Sequence, residues 1–493
     1  MSSWIANRQQ TSRFTWVGLA IATGMLMGVL AVVGPTRMHM PALPLLVPAG
    51  LVFGVVTLHR PEYSILLVIG LTNSLVAPDV LPIFNFGPLG VSIPELILGF
   101  LLLLTFLRVT SHPDFSLFIS PLAVPLAFFL IGIILASLYA LIVQDVQLGH
   151  IIPQLRNYSF WMLFFIVIHL LREPAQIDRF LKGLWLLTAV LCVGALLPGV
   201  FNQTPFMNSE TPTLATAERE FGGVTRLFFY GERLLYVMIP VTVATLALVR
   251  RQSTSLYLIL LVMLLGWLYF SFQRNYWLTT IINLGALGWI LIGEALARMI
   301  RRLIPLLLIA VFALVVLQIT QPNTLRRQGE AAVQRVLSLT NDPARTDSST
   351  RWRLTENRYA FDIVAENPLT GIGVANAYRP RMVDELETPL DRYVHNAYLW
   401  IAVNTGLVNL GLFFAFCGLY LYRVLRYWPQ IARDDYRAAY LGFGMAFLGM
   451  MISNLVAPNF IQSPALSIYP AMIGLSEVIW RINPAPQPER ITQ

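Results

Sequence analysis

The sequence DRYVHNAYLW at residues 391–400 marks where a polar stretch, beginning at Gln321, returns to an apolar run. His395 is the last side chain before that run that titrates near neutral pH, so we expect it to lie where water meets a membrane. A neutral imidazole can take a proton from a hydroxyl group, which suits a general base. The alternative is a histidine at a helix end without a chemical role, and the surrounding sequence has to separate the two.

The composition indicates an integral membrane protein. Of the 493 residues, 56% are hydrophobic and 12% are charged, and the mean hydropathy is +0.65. Soluble domains carry about a quarter charged residues. The net charge of +8 comes almost entirely from arginine, since Lys182 is the only lysine. These arginines are scattered at the ends of apolar runs rather than forming a basic stripe, which argues against nucleic-acid binding.

Apolar runs of membrane-spanning length occur along the whole chain. A bilayer core of about 30 Å takes some 20 helical residues. The sequence therefore predicts an all-α, polytopic integral membrane protein with about 12–14 transmembrane helices and a large helical extracytoplasmic loop. The run at 14–34 is too long for a signal peptide and is predicted to be a first anchor. The fourteen runs are 14–34, 41–58, 63–77, 91–108, 120–143, 155–171, 177–199, 229–249, 255–272, 275–297, 302–320, 397–421, 438–456 and 464–480.

The arginines between the runs predict the orientation. They concentrate in alternate connections, which the positive-inside rule assigns to the cytoplasm. The short connections on the other side hold little more than Arg37, Arg156 and Arg274, and long loops escape the rule. We expect residues 1–320 to form transmembrane helices 1–11, residues 321–395 to form an extracytoplasmic loop that carries the histidine, and residues 396–493 to form helices 12–14 and a cytoplasmic tail. Cys192 and Cys417 fall within apolar runs, so no disulfide framework is implied.

The long polar loop is predicted to contain a helix. Ser348-Ser349-Thr350 can cap it, and Trp352, Tyr359 and Ile363 share roughly one face. The helix should end near Asn367-Pro368, and Gly371-Ile372-Gly373 then makes a turn.

Two arginines could share the membrane face of His395. Arg274 lies in a very short turn between two apolar runs, and Arg226 precedes the run that starts near Phe229. Either could instead snorkel to the headgroups, and Arg226 could pair with nearby glutamates. A guanidinium is always charged and forks onto phosphate oxygens. Two of them beside an imidazole would suit displacement of a lipid diphosphate from a sugar carbon.

Four segments of this region resemble a known family. Arg351-Trp352, AENPLTGIG at 365–373, VHNAYL at 394–399 and NTGL at 404–407 are similar to the signature of the O-antigen ligase and polymerase superfamily. The resemblance implies transfer of a glycan from undecaprenyl diphosphate on the outer side of the bacterial inner membrane, with inversion and without a metal or other cofactor. It also implies that His395 is the general base, that Arg274 handles the diphosphate, and that Arg226 is a second such arginine.

Further polar residues could bind the substrate. We include Asn396, Arg358 and Tyr393 as candidates. Arg358, like Arg379 and Arg381, could alternatively pair with acidic residues of the loop, and Tyr393 could be an interfacial aromatic residue. The acidic residues between 384 and 391 could form a cation site, although clustered acids in a polar loop are usually solvated. The sequence contains no recognisable metal-ligand motif.

The expected function is that of a membrane glycosyltransferase, as an O-antigen ligase or as an O-antigen or exopolysaccharide polymerase in lipopolysaccharide and cell-envelope biosynthesis. Its partners would be the lipid-linked donor, a glycan acceptor such as a lipid A core or a lipid-linked repeat, and membrane lipids. A transporter or flippase of lipid-linked oligosaccharides is one alternative, but it should carry polar residues deep in several spans and internal repeats. A non-catalytic scaffold of polysaccharide assembly is another, and it would not need His395 with Arg274.

Overall fold

The computed structural model describes most of the chain. The described residues are 43–76, 81, 83–86, 89–111, 119–201, 220–221, 224–225, 231–250, 254–271, 273–320, 326, 329–330, 333, 348–380 and 391–483. The predicted first anchor at 14–34 and the candidate Arg226 lie outside them.

Helices dominate the described residues. They are α1 (Leu43–His59), α2 (Pro61–Thr72), α3 (Ile93–Thr110), α4 (Ala123–Ile142), α5 (Leu148–Ser159), α6 (Leu163–Leu170), α7 (Pro174–Phe201), α8 (Glu232–Leu248), α9 (Thr254–Ser271), α10 (Arg274–Ile290), α11 (Glu294–Thr320), α12 (Ser348–Glu366), α13 (Ala397–Tyr427), α14 (Asp434–Ser453) and α15 (Ile468–Ile482). Short 3-10 helices lie at Phe160–Met162, Trp428–Gln430 and Pro464–Ser467. Two small antiparallel hairpins pair β1 (Ile83–Phe86) with β2 (Leu89–Ser92), and β3 (Glu220–Phe221) with β4 (Val224–Thr225).

The predicted fold class is confirmed: the protein is an all-α polytopic membrane protein. Six segments of the described chain are long and apolar enough to cross a membrane, or up to seven if the bent pair Val52–His59 and Pro61–Thr72 forms one span. Each predicted run from 41–58 onward coincides with a described helix or with consecutive helical segments. The helix predicted within the polar loop is also present, as α12.

The chain divides into two compact units, residues 1–66 and residues 67–493. In the first, the described part comprises α1 and the start of α2, and the hydroxyls of Thr57 and Ser64 are hydrogen-bonded at 2.6 Å. The second contains all the remaining helices and every described candidate site residue.

Helix α8 forms the centre of the larger unit. Its side chains are buried without interruption from Arg233 to Leu248. A helix that is apolar on all sides is expected in the core of a bundle rather than at its surface. Its most extensive partner is α14. Gly442 of α14 permits this close approach, because a Cβ there would lie 2.5 Å from the Cα of Val241.

Helix α13 is broken at Gly406, which has φ +81° and ψ 172°. The amide of Leu407 bonds to the carbonyl of Pro368 at 2.7 Å, outside the helix. The freed carbonyl of Val403 accepts the amide of Ile372 at 2.8 Å. A Cβ on Gly406 would lie 2.0 Å from the carbonyl oxygen of Leu369. The glycine turn after α12 is therefore inserted into the break, which ties α12 to α13 close to His395.

The bundle of the larger unit has two ends, and the contacts of α14 show which helix ends lie together. At the His395 end, Asn275 at the start of α10 donates to Ser453 Oγ at 3.1 Å, and the amide of Ala397 at the start of α13 donates to Asn454 O at 2.9 Å. Both partners lie at the C-terminal end of α14. At the opposite end, where α14 begins, Arg433 pairs with Asp178 of α7. The turns that begin α10 and α13 therefore lie at the same end of the bundle.

Candidate active site

The imidazole of His395 is held by a buried carboxylate. Its Nδ1 lies 2.6 Å from Glu356 Oε2, and its backbone amide donates to the same oxygen at 3.3 Å. The Glu356 side chain is fully buried, whereas 25% of the His395 side chain is exposed. A carboxylate can only accept hydrogen bonds, so the proton of the neutral imidazole lies on Nδ1. The lone pair then lies on Nε2, where it can act as a base.

Helix α12 presents this carboxylate. Trp352, one turn earlier, donates its indole Nε1–H to Glu356 Oε1 at 2.6 Å, so both carboxylate oxygens have partners. The guanidinium of Arg379 lies 5.0 Å from the centroid of the Trp352 ring, in cation–π range. These contacts fix the rotamer of Glu356, and through it the orientation of the imidazole.

The residues around His395 shape the access to its ring. The ring of Tyr393 meets the imidazole edge-on at 4.8 Å, and its hydroxyl donates to Gln462 Oε1 at 2.9 Å. Burial and the nearby Glu356 carboxylate raise the pKa of the Tyr393 phenol, so it remains a donor and not a base. The side chain of Asn396 caps α13 by accepting the amides of Tyr398 and Leu399.

A second polar cluster lies at the same end of the bundle, at the start of α8. Arg233 is buried, with 8% of the residue exposed, and its Nε donates a long hydrogen bond of 3.4 Å to Asn459 Oδ1. Within the described part of the chain, no ion pair joins it to a carboxylate. The buried hydroxyl of Tyr469 in α15 has no hydrogen-bond partner among the described residues. A buried guanidinium without a carboxylate partner in the described chain can bind an anion.

Arg274 begins α10 next to this cluster. The preceding residue, Gln273, donates to the Glu232 carboxylate, and Tyr276 donates to the same carboxylate at 3.1 Å. Tyr276 also lies 3.4 Å from Asn459 Oδ1, the acceptor of Arg233. The turn that carries Arg274 is therefore bound to the first turn of α8, and the Arg274 side chain is half-buried there.

The turn after α14 connects the two clusters. Gln462 accepts the Tyr393 hydroxyl beside His395, and Asn459 of the same turn accepts Arg233. Arg233 also acts on the pKa of Tyr393, which it lowers against the larger effect of burial, so its charge influences a residue that packs against His395. Asn459 and Gln462 of this turn thus link Arg233 to Tyr393, the residue whose ring packs against the imidazole of His395.

The other residues that the sequence suggested for the site are not all found next to His395. Arg358 is exposed, and its position two residues after Glu356 directs it to the other side of α12, because two helical residues rotate by about 200°. Arg353, one turn before Glu356, acts electrostatically on Tyr393 instead. Asn396 is engaged as a helix cap. Arg226 is outside the described residues.

Sequence reasoning missed Glu356 and Arg233, although each left a signal. Glu356 lies on the face already assigned to Trp352, Tyr359 and Ile363, so an acidic residue stood on a face expected to be buried. Arg233 lies inside the predicted apolar run 229–249, and an ionisable residue within a span points to function by default.

The fold and this site define a polytopic helical membrane protein with a histidine–carboxylate pair at one end of its bundle. Residues 258–414 match the family described as O-antigen ligase. This match supports the resemblance of residues 350–411 to the O-antigen ligase and polymerase superfamily. The matched region contains Arg274, Glu356 and His395, but it begins after Arg233. Among curated proteins, none matches the chain.

Proposed function

We propose that the protein transfers a glycan from a polyprenyl diphosphate, such as undecaprenyl diphosphate, to a hydroxyl of an acceptor sugar. The family supports an O-antigen ligase or polymerase type of function in general. The observation that carries the finer proposal is the His395–Glu356 pair at 2.6 Å, with the carboxylate buried and the imidazole partly exposed.

The proton moves from the acceptor to His395. As Nε2 takes the hydroxyl proton, the acceptor oxygen forms a bond to the anomeric carbon and the bond from that carbon to the phosphate oxygen breaks. Glu356 stabilises the imidazolium that results, because its carboxylate remains hydrogen-bonded to Nδ1. A single displacement of this kind inverts the anomeric carbon, in agreement with what the resemblance implies.

The diphosphate departs with the bonding electrons and needs positive charge. Arg233 is buried without a carboxylate partner in the described chain, and Arg274 lies at the adjoining turn. Guanidinium groups can fork onto phosphate oxygens, and their charge is worth more where water is excluded. We assign both to the leaving diphosphate. Arg226, Arg358, Tyr393 and Asn396 remain proposed substrate contacts, Asn396 through its position next to His395.

The proposal extends to the setting of the reaction. The protein would lie in the bacterial inner membrane with the His395 end on the extracytoplasmic side, since its arginine-rich connections lie at the opposite end. The segment 321–395 would cover the sugars, with the transmembrane segments 1–320 and 396–493 holding the lipid. The acceptor would be a lipid A core for a ligase, or a lipid-linked repeat for a polymerase of O-antigen or exopolysaccharide.

The test is transfer in reconstituted vesicles with a labelled lipid-linked oligosaccharide and candidate acceptors. His395→Ala should reduce transfer by about 10³-fold or more, because no other base replaces the imidazole. Donor binding, measured separately, should persist. The matched control is His150→Ala, since His150 is exposed on α5 and should be dispensable.

The same assay separates the rival functions. Unchanged transfer in His395→Ala would remove the general base from the proposal. Movement of the lipid-linked donor across the vesicle without transfer would indicate a flippase, and neither movement nor transfer with any acceptor would favour a scaffold.

A further inference from the structure

A cavity at the end of the bundle opposite His395 plays no part in the proposed reaction. It has a volume of about 760 Å³ and lies between α7, α9 and the start of α14. Helix α14 runs from Asp434 at this cavity to Ser453 at the active-site end, a length of about 30 Å at 1.5 Å per residue. The cavity is therefore separate from the candidate active site.

The walls of the cavity are apolar, and the cavity is open laterally at α7 and α9. Leu186 of α7 and Leu256 and Ile259 of α9 line it and are respectively 66%, 69% and 57% exposed. Exposed leucine and isoleucine side chains on helices of spanning length face lipid chains rather than water. A hydrocarbon chain can thus enter between α7 and α9 without crossing a polar surface.

One end of the cavity carries both signs of charge. Arg433 donates to Asp178 Oδ1 at 2.9 Å and to Asp435 Oδ2 at 2.6 Å, and these three side chains remain between 31% and 39% exposed. One guanidinium therefore faces two carboxylates, which leaves negative charge on that side. Lys182, an exposed residue of α7, supplies a second cation to the same lining.

Two aromatic rings mark the boundary between the charged and apolar parts. Trp185 and Tyr257 line the cavity and meet edge-to-face at 5.0 Å between centroids. Tryptophan and tyrosine are enriched at the level of lipid headgroups, where one part of the ring is apolar and the other polar. The charged end of the cavity is therefore at headgroup depth.

We propose that this cavity binds a zwitterionic glycerophospholipid with a primary ammonium group. The ammonium faces Asp178 and Asp435, the phosphate faces Lys182, and one acyl chain lies along Leu186, Leu256 and Ile259. A purely anionic headgroup fits less well, because the two carboxylates would repel it. The volume is sufficient for a headgroup and part of one chain. This site does not depend on the proposed glycan transfer.

The first experiment measures lipid retention by native mass spectrometry of the purified full chain during detergent washing. The probes are dioleoyl phosphatidylethanolamine, dioleoyl phosphatidylglycerol and a polyprenyl phosphate, offered at equal concentration. We expect one phosphatidylethanolamine per chain, retained at least about tenfold better than the other two, which corresponds to about 1.4 kcal/mol. Equal retention of all three would mean ordinary boundary lipid, and preferential retention of the polyprenyl phosphate would identify a different occupant. Either result overturns the proposal.

Variants then test the position of the lipid. Ala189→Trp fills the cavity from α7, and its control Val190→Trp adds the same bulk at the next residue, which does not line the cavity. We expect retention to fall about tenfold in the first and to stay unchanged in the second. Lys182→Gln should reduce the preference for phospholipid without blocking the walls, compared with Arg426→Gln at an exposed arginine of the same end. Wild-type retention in both Ala189→Trp and Lys182→Gln would contradict the proposal.

Discussion

Arginines at the two ends of the bundle are used in different ways. At the end opposite His395, Arg423 forms two hydrogen bonds with the buried Glu477, and Arg298 and Arg302 donate to the last carbonyls of α8. At the His395 end, Arg233 is as deeply buried as Arg423 but makes one long hydrogen bond to an amide.

The difference agrees with a structural role for Arg423 and with the proposed anion-binding role of Arg233. Buried charges are costly unless they are paired, so a protein pairs those that only stabilise the fold. An arginine buried without a carboxylate among the described residues retains its capacity for a ligand. The proposed roles, ligand binding for Arg233 and structural support for Arg423, therefore make opposite predictions.

The largest expected effect comes from exchanging the buried guanidinium of Arg233 for an apolar side chain. Arg233→Met should lower transfer by about 10³-fold, because a removed charge-stabilising donor costs about that much in a water-excluded site. The thermal stability of the detergent-solubilised protein should not fall, since an isolated buried charge is lost. Vesicle transfer and a melting curve measure the two quantities.

The matched variant at the other end should behave in the reverse way. Arg423→Met leaves Glu477 buried without its partner and should cost about 3 kcal/mol of stability, with transfer per folded molecule unchanged. If instead Arg233→Met melts early and keeps its activity, the two arginines have the same structural role and the comparison fails.

The next effect is expected on protein stability, at the contact between α13 and the turn after α12. Gly406→Ala places a Cβ against the Leu369 carbonyl at a residue with positive φ, and should cost about 3 kcal/mol. Gly418→Ala in the same helix meets no atom within 4 Å and should be neutral or slightly stabilising. Comparable melting temperatures for the two variants would show that the inserted turn is not needed to hold α12 and α13 together.

The sequence predicted the fold well because membrane spans have a simple signal. Each apolar run from residue 41 onward became helical, and the helix of the polar loop appeared between Ser348 and Glu366 as its caps indicated. The break at Gly406 was not foreseen, since it arises from a pairing between residues 368–375 and 403–407 that local patterns do not encode.

Only some residues of the candidate active site could be proposed from the sequence, and the reason is physical. His395 and Arg274 stand at the ends of apolar runs, where polarity changes along the chain and can be read directly. Glu356 and Arg233 act through contacts across the bundle, with His395 and Asn459. Such contacts depend on helix rotation and packing. Sequence spacing alone therefore could not show that Arg353 of α12, and not Arg358, acts on Tyr393.

A smaller effect is expected at the carboxylate behind the histidine. Glu356→Gln keeps the shape but removes the charge that stabilises the imidazolium, and should lower kcat by about 10²-fold with the donor KM unchanged. Glu366→Gln, an exposed residue at the end of the same helix, is the control. An unchanged kcat together with a lower melting temperature would assign Glu356 to folding only.

The smallest effect is expected at Tyr393, where the structural and the substrate-binding roles differ in outcome. Tyr393→Phe removes the hydrogen bond to the partly exposed Gln462 but keeps the ring against the imidazole, so it should cost about 1 kcal/mol of stability. Transfer should change by less than about tenfold, because the hydroxyl bonds to Gln462 and the variant keeps the ring, which is the part of Tyr393 proposed to contact the substrate. A rise of the acceptor KM by more than that, at unchanged stability, would show that the hydroxyl binds substrate. In that case Tyr393 itself contributes to acceptor recognition, in addition to its contact with His395.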